Sequence, residues 1–123
     1  MIDISVYRLV HFLGIMMLFL SLGGLLLHTA NGWDKAENRW RRGATLTHGI
    51  GLLLVLLGGF GMIARLGITW PWPGWVLVKM GIWVVFGGVI ALAYRSPSLG
   101  KTLWFALLLL GLLAAYMAGM KPF

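Results

Sequence analysis

Residues 74–94 read GWVLVKMGIWVVFGGVIALAY, a run of tryptophan, valine, glycine, leucine and isoleucine in which Lys79 is the only charge. A helix rising about 1.5 Å per residue needs roughly 20 apolar residues to cross about 30 Å of hydrocarbon, and this run meets that length without interruption. The pattern repeats on both sides of it. Runs over about 4–30, 44–66 and 99–120 are long enough to cross as well. The chain is therefore predicted to be an all-α integral membrane protein, an antiparallel four-helix bundle in which residues 1–123 form a single membrane domain. Composition agrees: of 123 residues, 60% are hydrophobic and 11% charged, which leaves almost no chain for a soluble domain.

The first run differs from a signal peptide in three ways: Asp3 offsets Arg8, the apolar part is too long, and HTA at 28–30 is a poor cleavage site. The connections carry their own signals. RSPSLG (95–100) offers Ser96 as a cap and Pro97 at the first helical position, and WPWPGW (70–75) is a tryptophan-rich turn suited to a membrane interface.

Four spans place the N-terminus, loop 67–73 and the C-terminus on one side, here called side A, and loops 31–43 and 95–98 on side B. Side B carries Lys35, Arg39, Arg41, Arg42, Arg95 and Lys101, six of the ten basic residues. The positive-inside rule makes side B cytoplasmic, which puts both termini in the periplasm of a bacterial inner membrane. The net charge of +7 thus speaks for topology and lipid contact rather than nucleic acid.

Small residues recur at helical intervals: Gly51 and Gly58; Gly74, Gly81 and Gly88; Gly111, Ala115 and Gly119. Such spacing lets membrane helices approach closely, and it equally leaves room for a flat cofactor.

Ionisable residues in hydrocarbon are costly, and four stand out here: His11, His28, His48 and Lys79. Counting residues from the span ends puts His11 on the order of 10 Å and Lys79 roughly 8 Å from side A. His28 lies in the last turn before side B, and His48 about 6 Å from that side. The four thus form two pairs in opposite leaflets. For Lys79, with Trp75 and Trp83 four residues to either side, snorkelling and a functional role both stay open. For each histidine, a hydrogen bond to a backbone carbonyl or to Thr45 or Thr47 stands against ligation.

The available chemistry is narrow. Cysteine is absent, which excludes disulfides, thiolate metal sites and covalent haem attachment. The three acids, Asp3, Asp34 and Glu37, fall outside the spans, so hydrolytic carboxylate pairs and serine–histidine–acid triads are poorly supported. Imidazole is a common axial ligand of haem iron, and a non-covalent haem b fits a cysteine-free membrane bundle with His11, His48 or His28 as candidate ligands. Met62, Met80, Met117 and Met120 are expected toward side A with His11, a donor set suited to copper, although methionine is also ordinary apolar filler.

YRLVHFLGIMMLFLSLGG (7–24) is similar to the first helix of the HemJ-type protoporphyrinogen IX oxidases and the wider CopD-like membrane superfamily. PGWVLVKMGIWVVFGG (73–88) resembles their third helix, with its W-x-x-x-K opening, and GMKPF (119–123) resembles their ending. RWRRGATLTHGIG (39–51) is a looser match to the second. The resemblance implies that His11 and Lys79 are the catalytic pair, that haem b is associated with the site, and that a porphyrinogen is oxidised with electrons passing to quinone or another membrane acceptor. Where that family has an aromatic–Leu–Pro–Arg stretch, this chain reads LGGLLLHTANG (22–32), and it adds His28 and His48.

Three functions are compatible with these readings: a small haem b protein in electron transfer or porphyrinogen oxidation, a copper-binding or copper-transport protein, and a structural accessory subunit of a larger membrane complex or homo-oligomer.

Overall fold

The computed structural model describes residues 3–32, 36 and 38–123. Asp34, Lys35 and Glu37, which enter the charge balance of the side-B loop, lie outside them. Four helices follow in order: α1 (Ile4–Ala30), α2 (Arg41–Arg65), α3 (Gly74–Arg95) and α4 (Gly100–Met120). Each is long and apolar enough to cross a membrane.

Local chemistry explains the boundaries. Asp3 caps α1 in extended conformation, its carboxylate accepting from Ser5 N at 3.4 Å, so one orphan N–H of the first turn is satisfied. α2 starts at Arg41, three residues before the apolar run does, because arginine is a good helix former whose head reaches water from the interface. A 3₁₀ turn, Pro97–Leu99, leads into α4, with Pro97 at its first position as its fixed φ favours. Ser96 makes no side-chain cap there, contrary to the sequence expectation. α4 ends on Lys121 in the left-handed region (φ 46°), and Pro122 follows and cannot continue a helix.

The glycine series divide sharply. A Cβ on Gly58 would stand 2.6 Å from Tyr7 O and His11 N, and one on Gly14 would stand 2.6 Å from Val55 N. α1 and α2 therefore meet backbone to backbone, and they make the most extensive helix contact in the bundle. Gly81, Gly88 and Gly119 face open space instead, so the spacing on α3 and on the end of α4 does not mark a seam inside this chain.

The core lies between α1, α3 and α4. Leu18, Leu22, Leu25 and Leu26 form a helical stripe on α1 that packs on Ile82, Phe86, Val89 and Ala93 of α3 and on Leu107 of α4. Leu22 and Leu26 have no exposed surface. Phe19 meets Phe86 edge to face at 5.4 Å between centroids.

Candidate functional site

The seam between α1 and α2 fixes their antiparallel register. Gly58 faces Tyr7 and His11, and Gly51 faces Gly14 and Leu18, so residues whose numbers total about 67 lie level. His48 then lies level with residue 19, about 12 Å along the axis from His11, and His28 lies about 25 Å from His11. The earlier start of α2 also puts His48 about 10 Å into that helix, deeper than the apolar run implies. A metal–imidazole bond is about 2 Å long. No two of the three imidazoles are therefore placed to share one iron. Among the described residues there is also no cluster of three His, Asp or Glu side chains.

Each buried histidine is held by a carbonyl of another helix. His11 Nδ1 donates to Val55 O of α2 at 2.8 Å, and His48 Nε2 donates to Phe86 O of α3 at 2.9 Å. A carbonyl only accepts, so these bonds set the tautomers of the neutral rings. His11 carries its proton on Nδ1 and presents the lone pair of Nε2. His48 is reversed: its free lone pair is on Nδ1, the nitrogen nearest its own backbone and the harder one for a large ligand to approach. His28 sits half-buried near the end of α1.

His11 is 7% exposed, and Nδ1 makes its one hydrogen bond. No side-chain nitrogen or oxygen among the described residues is sealed off without a partner, so His11 Nε2, which forms no hydrogen bond, keeps some accessible area. Gly59 lies beside the ring: a Cβ there would make ordinary van der Waals contact, 3.6 Å, with Cε1 and Nδ1.

Lys79 is half-buried on α3 at the same end and lies within electrostatic reach of His11 and of Lys121. It forms no hydrogen bond or ion pair among the described residues. Asp3, the one described acid, is occupied as the cap of α1. Lys121 is tied down by its backbone conformation, by donation from Nζ to Ala118 O at 2.6 Å, and by the Trp75 ring 5.2 Å away. Trp75 N in turn donates to Phe123 O at 3.0 Å, which folds the KPF segment onto the start of α3. Side A thus holds Lys79 within electrostatic reach of both the His11 imidazole and the Lys121 ammonium, with no ion pair from a carboxylate side chain to either lysine among the described residues.

Sequence reasoning brought His11 and Lys79 to one end, and the bundle has them there. It put His48 with His28 at the other end, whereas His48 lies level with residue 19, near the middle of α1 and about 13 Å along the axis from His28, because α2 starts before its apolar run. It missed Lys121 as the companion charge of Lys79, and it missed Trp83. Trp83 Nε1 donates to Leu52 O of α2 at 3.0 Å, and with His48 it joins α2 and α3 by two bonds running in opposite directions. A signal existed for Trp83, since an indole N–H in hydrocarbon needs an acceptor and only carbonyls are plentiful there. Thr47, a candidate partner for a histidine, donates instead to Gly43 O of its own helix. The four methionines share no one environment: Met117 is buried, Met120 exposed, and Met62 and Met80 lie between.

The donor set of His11, Lys79 and Lys121 suits an amphipathic anion that also carries a metal. Such a ligand would be held by the His11 ring nitrogen left without a hydrogen bond and by the two cations at its carboxylates. The set does not provide a second imidazole. No protein-family model, no curated protein and no solved structure matches the chain.

Proposed function

We propose that this small integral membrane protein holds one haem b, or its porphyrin, at the side-A end of the bundle. His11 Nε2 is the sole imidazole ligand and Lys79, with Lys121, is the counter-charge for the propionates. The observation that carries this reading is the unpaired ammonium of Lys79 inside a span, within electrostatic reach of a histidine that keeps one ring nitrogen without a hydrogen bond. An isolated charge in hydrocarbon is costly, and an anionic ligand offsets that cost. When bound, the iron supplies one-electron chemistry; the protein's part is to orient the axial ring and neutralise the carboxylates. Electron transfer within the membrane, or oxidation of a porphyrinogen as in the HemJ-type enzymes that the sequence resembles, is the activity we assign, in a bacterial inner membrane with both termini periplasmic.

Protein expressed with ample haem supply and purified in detergent is expected to show a Soret band that His11→Ala abolishes or shifts and His28→Ala leaves in place. Absence of both Soret band and bound porphyrin sinks the proposal. Copper takes second place because His11 is the only imidazole at that end; stoichiometric copper lost in a His11→Ala, Met117→Ala variant would reverse the order.

One observation favours the accessory-subunit reading. The ring donors His11, His48 and Trp83 all serve to join helices, which is what a purely structural bundle requires. That reading predicts a larger complex on mild solubilisation and a colourless protein.

A further inference from the structure

A cleft of about 460 Å³ opens at the other end of the bundle, between the last turns of α1 and the start of α2. Toward the membrane interior it is lined by Leu20, Leu25 and Gly24, and toward the helix ends by His28, Asn31 and Asn38. From Leu20 to Asn31 the wall runs about 16 Å along the axis, enough to cover a polar headgroup and the upper part of an acyl chain. Trp40, 74% exposed, also borders it, and such amphipathic rings settle at headgroup level.

The charge at this rim is one-sided. Arg39, Arg41 and Arg42 are all exposed and flank the lining residues Asn38 and Trp40. Loop 31–43 as a whole carries four basic side chains against two acidic ones. Inside the cleft there is no acidic side chain among the lining residues, and several of the polar groups are already engaged. Asn38 Nδ2 donates to Tyr94 Oη at 3.1 Å, and Ser21 and Thr47 donate to carbonyls of their own helices. Three exposed arginines therefore stand at the rim, with an apolar wall below them.

We propose that this cleft binds an anionic phospholipid of the side-B leaflet, with the phosphate among the arginines at the rim and an acyl chain along the leucine wall. Basic pockets between membrane helices bind anionic headgroups for this reason, since charge and apolar surface are offered at the matching depths. Gly24 keeps the wall open: a Cβ there meets nothing within 4 Å. A side chain at 24 thus starts into open space beside the lining of the cleft, which makes this position the probe.

The test uses delipidated full-length protein in detergent, with bound lipid read by native mass spectrometry during titration with phosphatidylglycerol, phosphatidylcholine or inorganic phosphate. Phosphatidylglycerol is expected to saturate at one molecule, to outcompete phosphatidylcholine, and to be unaffected by millimolar inorganic phosphate. Arg39→Gln and Arg42→Gln should each weaken it about fivefold, the value of one basic residue near an anionic surface. Gly24→Leu should abolish the stoichiometric adduct while helical circular dichroism and melting temperature stay at wild-type values. Equal uptake of the two lipids, an unchanged adduct in Gly24→Leu, or displacement by inorganic phosphate would each overturn the proposal. Should Gly24→Leu fail to fold, the Arg39→Gln, Arg42→Gln pair decides alone: equal phosphatidylglycerol affinity in wild type and double variant refutes it.

Discussion

His11 and His48 are both buried, both lie in spans, and both give one ring proton to a carbonyl of a neighbouring helix, yet they offer different chemistry. The difference is which nitrogen is spent. His11 spends Nδ1 and keeps Nε2, at the tip of the ring, whereas His48 spends Nε2 and keeps Nδ1, next to its own backbone. His48→Ala is therefore expected to lower stability by about 1 kcal/mol, the scale of an interhelical hydrogen bond in membranes, while leaving any Soret band in place. Unfolding in mixed micelles alongside the absorption spectrum checks both halves of that statement. Lys79→Met should act in the opposite sense on stability. Removing an unpaired cation from a span stabilises the ligand-free protein, by roughly 1 kcal/mol or more, and weakens porphyrin binding. A lysine that only snorkels would leave porphyrin affinity unchanged. The residues at stake here were legible in the sequence because ionisable groups are rare in hydrocarbon. Their tautomers were not, because a tautomer is set by an acceptor 38 to 44 residues away.

At the scale of helices, α1 and α2 are joined by backbone contact at Gly14, Gly51 and Gly58, and α2 and α3 by the two long side chains of His48 and Trp83. These two kinds of joint fail differently. Gly58→Leu forces atoms onto Tyr7 O and His11 N, backbone on which no flexible side chain can yield, so a loss of several kcal/mol or failure to fold is expected. Gly88→Leu, in open space, should change thermal stability little, apart from a small gain in helix propensity. Comparing the two melting temperatures checks the register on which the 12 Å and 25 Å histidine separations rest. The repeat of glycine at seven-residue intervals looks alike on α2 and α3, and only one of the two series is a seam. Spacing states which residues share a helix face; it does not state what that face meets.

For the whole molecule, the three spans α2, α3 and α4 between Asn31 and Lys121 put these two residues on opposite sides of the membrane. The cysteine-free sequence makes this directly measurable: single Lys121→Cys and Asn31→Cys variants should react with an impermeant maleimide from opposite sides in intact cells. The positive-inside assignment expects Lys121→Cys to label from the periplasm. Much of the surface between the two ends is apolar, as lipid requires, with Leu53, Leu109 and Leu112 each more than 60% exposed. Helix number, helix length and the pairing of His11 with Lys79 at one end followed from the sequence alone, because hydrocarbon thickness and the rise per residue are fixed quantities. Which nitrogen of His11 stays free, which glycines form the seam, and where a cleft opens beside Gly24 depended on the tertiary structure. Each is a property of two helices at a particular distance and register, and no single run of sequence contains that information.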